Sequence, residues 1–268
     1  MTVTYWCERA LVGDVVRERV AIGITGDHIS MVTPDVDPPP AATRLGGITI
    51  PGLANAHSHA FHRALRSRTQ VGRGSFWTWR DQMYQAALAL TPDSYHRLAR
   101  ATFAEMALAG IVVVGEFHYV HHQPGGDRYD NANAMGEALI SAARDAGIRI
   151  TLLDTLYLHG GIDNGRYVEP NPAQARFSDG TAEQWVDRVD ALGDTPLCRI
   201  GAAIHSVRAV DPAAVATAVA WVESNQAPIH AHVSEQPAEN VQSQAAHGAT
   251  PTEVLHEAGA LDASFTAV

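Results

Sequence analysis

The chain has 268 residues, 46% of them hydrophobic and 18% charged, enough for one large globular domain and a small one. A formal charge of -10 argues against nucleic acid or an anionic membrane as a partner. Cys7 and Cys198 are the only cysteines and lack CxxC spacing, which argues against a disulfide framework or a cysteine-only metal site. Residues 1–20 mix acids and bases where a signal peptide needs an apolar stretch. The longest apolar run, 106–114, is far short of the roughly 20 residues that span a bilayer. The expected compartment is the cytoplasm.

Residues 1–47 read as short strands with turns. Segment 15–24 is rich in β-branched residues, Gly26-Asp27 marks a turn, and 28–32 resumes an extended pattern. Segment 34–42 holds four prolines and reads as an exposed loop. This region is expected to be part of a small β-domain, too short for a sound core alone. From residue 48 the pattern alternates. Strands are expected at 48–53, 111–117, 148–155, 198–204, 228–233 and 264–268, and helices at 92–109, 131–146, 182–192, 212–224 and 237–260. Thr91 before Pro92 and Asp211 before Pro212 are good helix starts. Repeated strand–helix–strand spacing implies a parallel sheet and an α/β fold. A closed (β/α)8 barrel needs eight strands. An open six-stranded sheet fits the count too, but the last strand ends at the last residue, so the expectation is a barrel lacking its last two βα units.

Fourteen histidines are the compositional oddity, and their placement matters more than their number. In Pro51-Gly52-Leu53-Ala54-Asn55-Ala56-His57-Ser58-His59, residues i and i+2 of an extended chain point the same way, so His57 and His59 can converge on one ion. A bare HxH in a histidine-rich chain is often chance; the preceding Pro-Gly and small residues favour a strand end opening into an active-site loop. At the end of the fifth strand, His232 is followed three residues later by Glu235, a spacing that suits a carboxylate beside a metal-activated water. His230 is expected to pack or to hydrogen-bond behind the ligands. His205 and Arg208, after the fourth strand, make a candidate carboxylate clamp, against the blander reading of a surface ion pair. Trp77, Trp79 and Arg80 lie in a long connection and could form a lid, a packed loop or an oligomer contact. His118 and Tyr119 are rim candidates after the second strand; His121 and His122 are taken as loop histidines without a function.

Together, the segments PGLANAHSHAFHRAL, FWTWRDQMY, GEFHYVHH, IHSVRAV and PIHAHVSEQ resemble the formimidoylglutamate deiminase family of the amidohydrolase superfamily, over the whole chain. The resemblance implies a (β/α)8 TIM barrel of the metal-dependent hydrolase type (residues 48–268, about six βα units) with a β-sandwich to which residues 1–47 contribute. It implies His57, His59 and His232 as ligands of one divalent ion, most simply zinc, and Glu235 as the catalytic carboxylate. Arg80, Tyr119, His205 and Arg208 match groups that hold the carboxylates of a small dicarboxylate substrate. His62 stands where some relatives have glutamine, and its expected role is substrate contact. A further catalytic histidine after the sixth strand and an aspartate ligand after the eighth would fall beyond Val268. The implied reaction is hydrolysis of N-formimino-L-glutamate to N-formyl-L-glutamate and ammonia, and the implied assembly a homodimer. The alternatives are a related deaminase of a nucleobase or guanidino compound, and an inactive or merely binding fragment.

Overall fold

The computed structural model describes residues 2–69, 75–261 and 264–268. The chain divides into two compact units after Leu53. In the first unit, strands β1 (Thr2–Val12), β2 (Val15–Thr25), β3 (His28–Thr33) and β4 (Thr43–Thr49) form one sheet in the order β3-β2-β1-β4. Strands β1, β2 and β3 pair antiparallel through two-residue loops, and β4 returns parallel to β1. Each of those loops opens on a glycine in the left-handed region, Gly13 at φ 64° and Gly26 at φ 66°, a conformation that costs other residues a Cβ clash. Cys7, Ala10 and Val20 form the small core, with Val12, Ile22 and Leu45 against it.

The second unit begins with β5 (Leu53–Ser58) and a 3-10 turn, Ala60–Leu65. It continues through α1 (Phe76–Leu88), α2 (Pro92–Leu108), β6 (Ile111–His118), α3 (Ala134–Ala146) and β7 (Arg149–Leu156). A small antiparallel hairpin, β8 (Gly161–Asp163) with β9 (Arg166–Val168), precedes α4 (Ala182–Val189), β10 (Cys198–Ile204), α5 (Pro212–Asn225) and β11 (Ile229–Ala231). Helices α6 (Pro237–His247) and α7 (Pro251–Glu257) lead to β12 (Phe265–Ala267). The sheet order β12-β11-β10-β7-β6-β5 follows the chain, with parallel pairing from β6 to β12, and the sheet curls into a half barrel of the (β/α) type.

Central strands of such a sheet are covered on both faces. Accordingly Leu152, Leu153, Asp154, Thr155 and Leu156 on β7 and Ala202, Ala203 and Ile204 on β10 are fully buried. Phe103, Leu139, Trp185, Val215 and Leu255 pack over them from the helices. Gly115 on β6 is required by proximity: a Cβ there would lie 2.7 Å from the Ala56 carbonyl oxygen on β5. Among the described residues no helix is long and apolar enough to cross a membrane.

Three elements differ from the sequence expectation. The strand expected at 48–53 straddles the end of β4 and the start of β5, with Pro51, which has no N–H for a ladder, between them. His57 therefore lies on the first barrel strand itself. Segment 76–88, expected as a long connection, is helical because Ser75 and Thr78 form a reciprocal capping box. The single helix expected at 237–260 is two: Gly248, at φ 68°, ends α6, and Thr250 caps α7 with Pro251 at its first position.

Candidate metal centre and cavity

His57 lies next to the last residue of β5, His59 opens the 3-10 turn after it, and His232 follows β11. Their ligand atoms all lie within 4.8 Å of one another. The Nδ1 of His59 is 2.8 Å from the Phe117 carbonyl oxygen, and the Nδ1 of His232 is 2.9 Å from that of His205. A carbonyl only accepts, so both Nδ1 atoms carry the proton and both Nε2 atoms present lone pairs. Those two lone pairs face each other at 3.2 Å. Burial is the main cause holding both rings neutral, with neighbouring histidines adding to it: His59 lies well below the ordinary imidazole value and His232 is pushed down to about 3.

Facing lone pairs repel unless a cation lies between them. Two zinc–nitrogen bonds of about 2.0–2.1 Å at a tetrahedral angle span roughly 3.3 Å, close to the observed 3.2 Å. His57 adds a third imidazole: its ring centroid is 4.6 Å from that of His59 and 5.2 Å from that of His232. Its pKa too is lowered, chiefly by burial, with Glu235 opposing. The Phe117 ring stacks on His232 at 4.2 Å and fixes its plane. Three neutral imidazoles, two of them oriented by carbonyls, thus fit a divalent zinc-like ion with room for further ligands.

This centre opens into a cavity of about 710 Å³ lined also by His62, Arg80, Tyr119, His205, Arg208 and Glu235, so the residues that the family resemblance assigned to the site meet there. From α1, Arg80 lies over the Trp77 ring at 4.5 Å and near Tyr84 at 5.6 Å. Among the described residues it has no carboxylate partner, and its Nε is buried without a hydrogen bond. Its cation is therefore uncommitted. Tyr119 is buried, with its hydroxyl 3.1 Å from His62 Nε2. Burial holds His62 down at about 3, with His232 and His57 adding to it. His205 is likewise kept neutral by burial, then by His232 and Arg208, so it can offer a hydrogen bond but no charge. Trp79 packs edge-on against His62 at 5.1 Å.

The Amidohydrolase family profile matches residues 48–268. The chain belongs to the amidohydrolase family. It is 35% identical over 263 residues to formimidoylglutamate deiminase of Pseudomonas aeruginosa, covering 96% of this chain and 57% of that protein. It is also 25% identical to a 5-methylthioadenosine/S-adenosylhomocysteine deaminase of Syntrophobacter fumaroxidans, over 81% of this chain and 43% of the relative. Among solved structures, an amidohydrolase from Brucella melitensis superposes with TM-score 0.87 at 31% identity, over 99% of this chain and 59% of that one. Atrazine chlorohydrolase of Arthrobacter aurescens TC1, solved with zinc and atraton, superposes with TM-score 0.81 at 22% identity, over 99% and 60%. The chain thus spans less than two thirds of the length of these relatives.

Within this amidohydrolase, Arg208 is not a free cation. Its Nη2 donates to Glu235 Oε2 at 2.6 Å, and its Nε lies 3.5 Å from Glu239 Oε2. Glu239 also accepts the Glu235 N–H at 3.0 Å. Sequence reasoning passed over Glu239; its only signal is its place four residues after Glu235, in the first turn of α6. His230 packs on β11, its Nδ1 buried without a hydrogen-bond partner, and burial lowers it to about 4.

The rim expectation for His118 does not hold, since it is buried outside the cavity; His121 and His122 do lie in the loop after β6 but are buried as well. Side chains alternate along an extended strand, so Tyr119 faces the cavity while His118 points to α3, whose Gly136 would place a Cβ 3.5 Å from its Nε2. His118, His121 and Asp154 are close enough to share an ion, but a guanidinium already serves there. Arg188 from α4 meets both oxygens of Asp154 at 2.8 Å and Asp179 at 2.8 Å, and Trp185 Nε1 donates to Asp154 at 2.9 Å. His122 Nε2 lies 3.0 Å from Asp179. The cluster is an ion-pair network joining β7, α4 and the turn after β6.

Proposed function

We propose that this amidohydrolase carries the metal-holding and carboxylate-binding part of a zinc-dependent deiminase that converts N-formimino-L-glutamate and water to N-formyl-L-glutamate and ammonia. The observation that carries this reading is the uncommitted Arg80 guanidinium in the same cavity as the three-histidine centre. A half-buried cation without a carboxylate partner is costly, and a substrate carboxylate would relieve it with a forked pair of hydrogen bonds. The 35% identity to a formimidoylglutamate deiminase supports the same substrate.

When bound, zinc would supply acidification of a coordinated water, from about 15.7 toward roughly 7, so that a nucleophile exists at neutral pH. The residues of the chain do the rest. His57, His59 and His232 would hold the ion, with Phe117 and the His205 carbonyl keeping His59 and His232 in the binding tautomer. Arg80 would anchor one substrate carboxylate, and the neutral Tyr119 and His205 would offer further hydrogen bonds. In the overall reaction the water oxygen replaces the terminal nitrogen on the formimino carbon, and that nitrogen leaves as ammonia. Glu235 would hold the proton that departs with it. Because Arg208 pairs with Glu235, a second substrate carboxylate arriving at Arg208 would release Glu235 for that task.

One observation favours the rival reading, a nucleobase or guanidino deaminase. Arg208 is already matched by Glu235 and Glu239, which leaves Arg80 as the one guanidinium without a carboxylate partner among the described residues that line the cavity. Ammonia release from zinc-loaded protein separates the readings. Turnover of N-formimino-L-glutamate, with loss of kcat when the substrate lacks one carboxylate, supports the deiminase. Turnover of a nucleobase in its place sinks it.

A further inference from the structure

We infer that Glu116 is a positioning residue for the metal centre: its buried carboxyl caps the backbone turn carrying His59 and His62 and so sets how His57 and His59 converge. The inference rests on the reading of the three histidines as metal ligands. The 3-10 turn Ala60–Leu65 begins at His59, whose side chain makes no capping hydrogen bond. A helical turn leaves its first N–H groups unpaired, and these need an outside acceptor when buried. Glu116 supplies it from β6: its Oε1 accepts the Ala60 N–H at 2.6 Å, and the Ser58 side chain lies beside the same carboxyl, whose Oε2 is buried without a hydrogen-bond partner among the described residues. Glu116 is fully buried, and Ala60 and Ser58 are nearly so.

The neighbouring residue acts on the same segment, because the Phe117 carbonyl holds His59 Nδ1 at 2.8 Å. Adjacent positions of β6 thereby fix the backbone and the ring of one ligand-bearing segment. A charged carboxylate is not needed for this. Burial is the leading cause that raises Glu116 to about 8, with the Ala60 N–H and the nearby Ser58 opposing it. An amide oxygen could accept the same bonds.

The test compares Glu116→Gln, which keeps an acceptor, with Glu116→Met, which keeps the volume and removes it. Zinc affinity is measured by competition with a chromophoric chelator, and ligand geometry by the visible bands of the cobalt-loaded protein. Glu116→Met is expected to bind zinc about 10- to 100-fold more weakly, with shifted cobalt bands. Glu116→Gln is expected to stay within about threefold with the bands unmoved, since its acceptor survives. Wild-type affinity and spectrum in a folded Glu116→Met would overturn the inference alone, whereas absence of zinc binding by the unaltered protein would overturn the metal reading with it. Should Glu116→Met not fold, Ser58→Ala removes the hydroxyl beside the same carboxyl and is expected to weaken zinc about three- to tenfold. Unchanged affinity there would also overturn the inference.

Discussion

Two imidazole lone pairs 3.2 Å apart, each fixed by a carbonyl behind it, define the chemistry of the site at the scale of single residues. Because the facing pair is His59 and His232, replacing either by alanine removes half of the bite. His232→Ala is expected to lose zinc at least about 100-fold more readily, as removal of a direct ligand should exceed the 10- to 100-fold cost of disturbing the groups behind it; metal content after dialysis against a chelator measures this. The two arginines should behave differently. Arg80→Ala removes an unpaired cation and is expected to raise KM for a dicarboxylate by about 10- to 100-fold, in line with about 1.5–3 kcal/mol for a charged hydrogen bond. Arg208→Ala also frees Glu235 and Glu239 from their common partner, so kcat as well as KM should change. Steady-state kinetics of the two variants side by side would refute this if only KM moved in both.

At the scale of elements, β6 does more than complete the sheet. Gly115 permits close approach to β5, and Glu116 and Phe117 hold the segment that follows β5. Gly115→Ala would press a methyl against the Ala56 carbonyl, next to His57, with backbone as the colliding partner. It is expected to cost about 1–3 kcal/mol of stability and to weaken zinc binding as well. Thermal unfolding of the metal-free protein and a zinc titration check the two halves of that statement. The HxH and HxxE patterns were legible because each lies within a few residues at a strand end. Glu116 was not, since its partner Ala60 is 56 positions away and no local pattern marks the pairing. Likewise α1 hid behind its aromatic residues, despite the Ser75–Thr78 capping box at its start.

Across the whole molecule, buried titratable groups set the response to acid. His118, His121 and His230 are all lowered, the first to well below its usual value and the other two to about 4, each mainly by burial. An unfolded histidine takes up its proton near 6.5, so between about 6.5 and 4 the unfolded state binds more protons than the folded one. Stability from these groups is therefore complete above about 6.5 and falls as the pH drops toward 4. Asp154, lowered to about 2 by Arg188 against burial, extends the loss below the ordinary carboxylate range. Glu116, raised to about 8, and Glu239, also raised by burial, act oppositely and cost stability as pH rises above 4.5, but they are two groups against several. Urea unfolding of metal-free protein at pH 7.5 and 5 should give the lower midpoint at pH 5; equal midpoints would contradict the burial of these histidines. Arg188→Met should cost about 3–5 kcal/mol, because it strands Asp154 and Asp179 without their cation.

The sequence alone determined the alternation of strands and helices, the parallel sheet it implies, and His57, His59 and His232 at strand ends. These follow from periodicity and short-range chain geometry, which a linear pattern records. Only the tertiary structure decided which histidines face the cavity and which are buried, that Arg208 is already paired while Arg80 is not, and that Glu116 caps a distant turn. Those outcomes depend on which side chains meet across the curled sheet. Burial and electrostatic pairing then choose their charge, and neither is written in the spacing of residues along the chain.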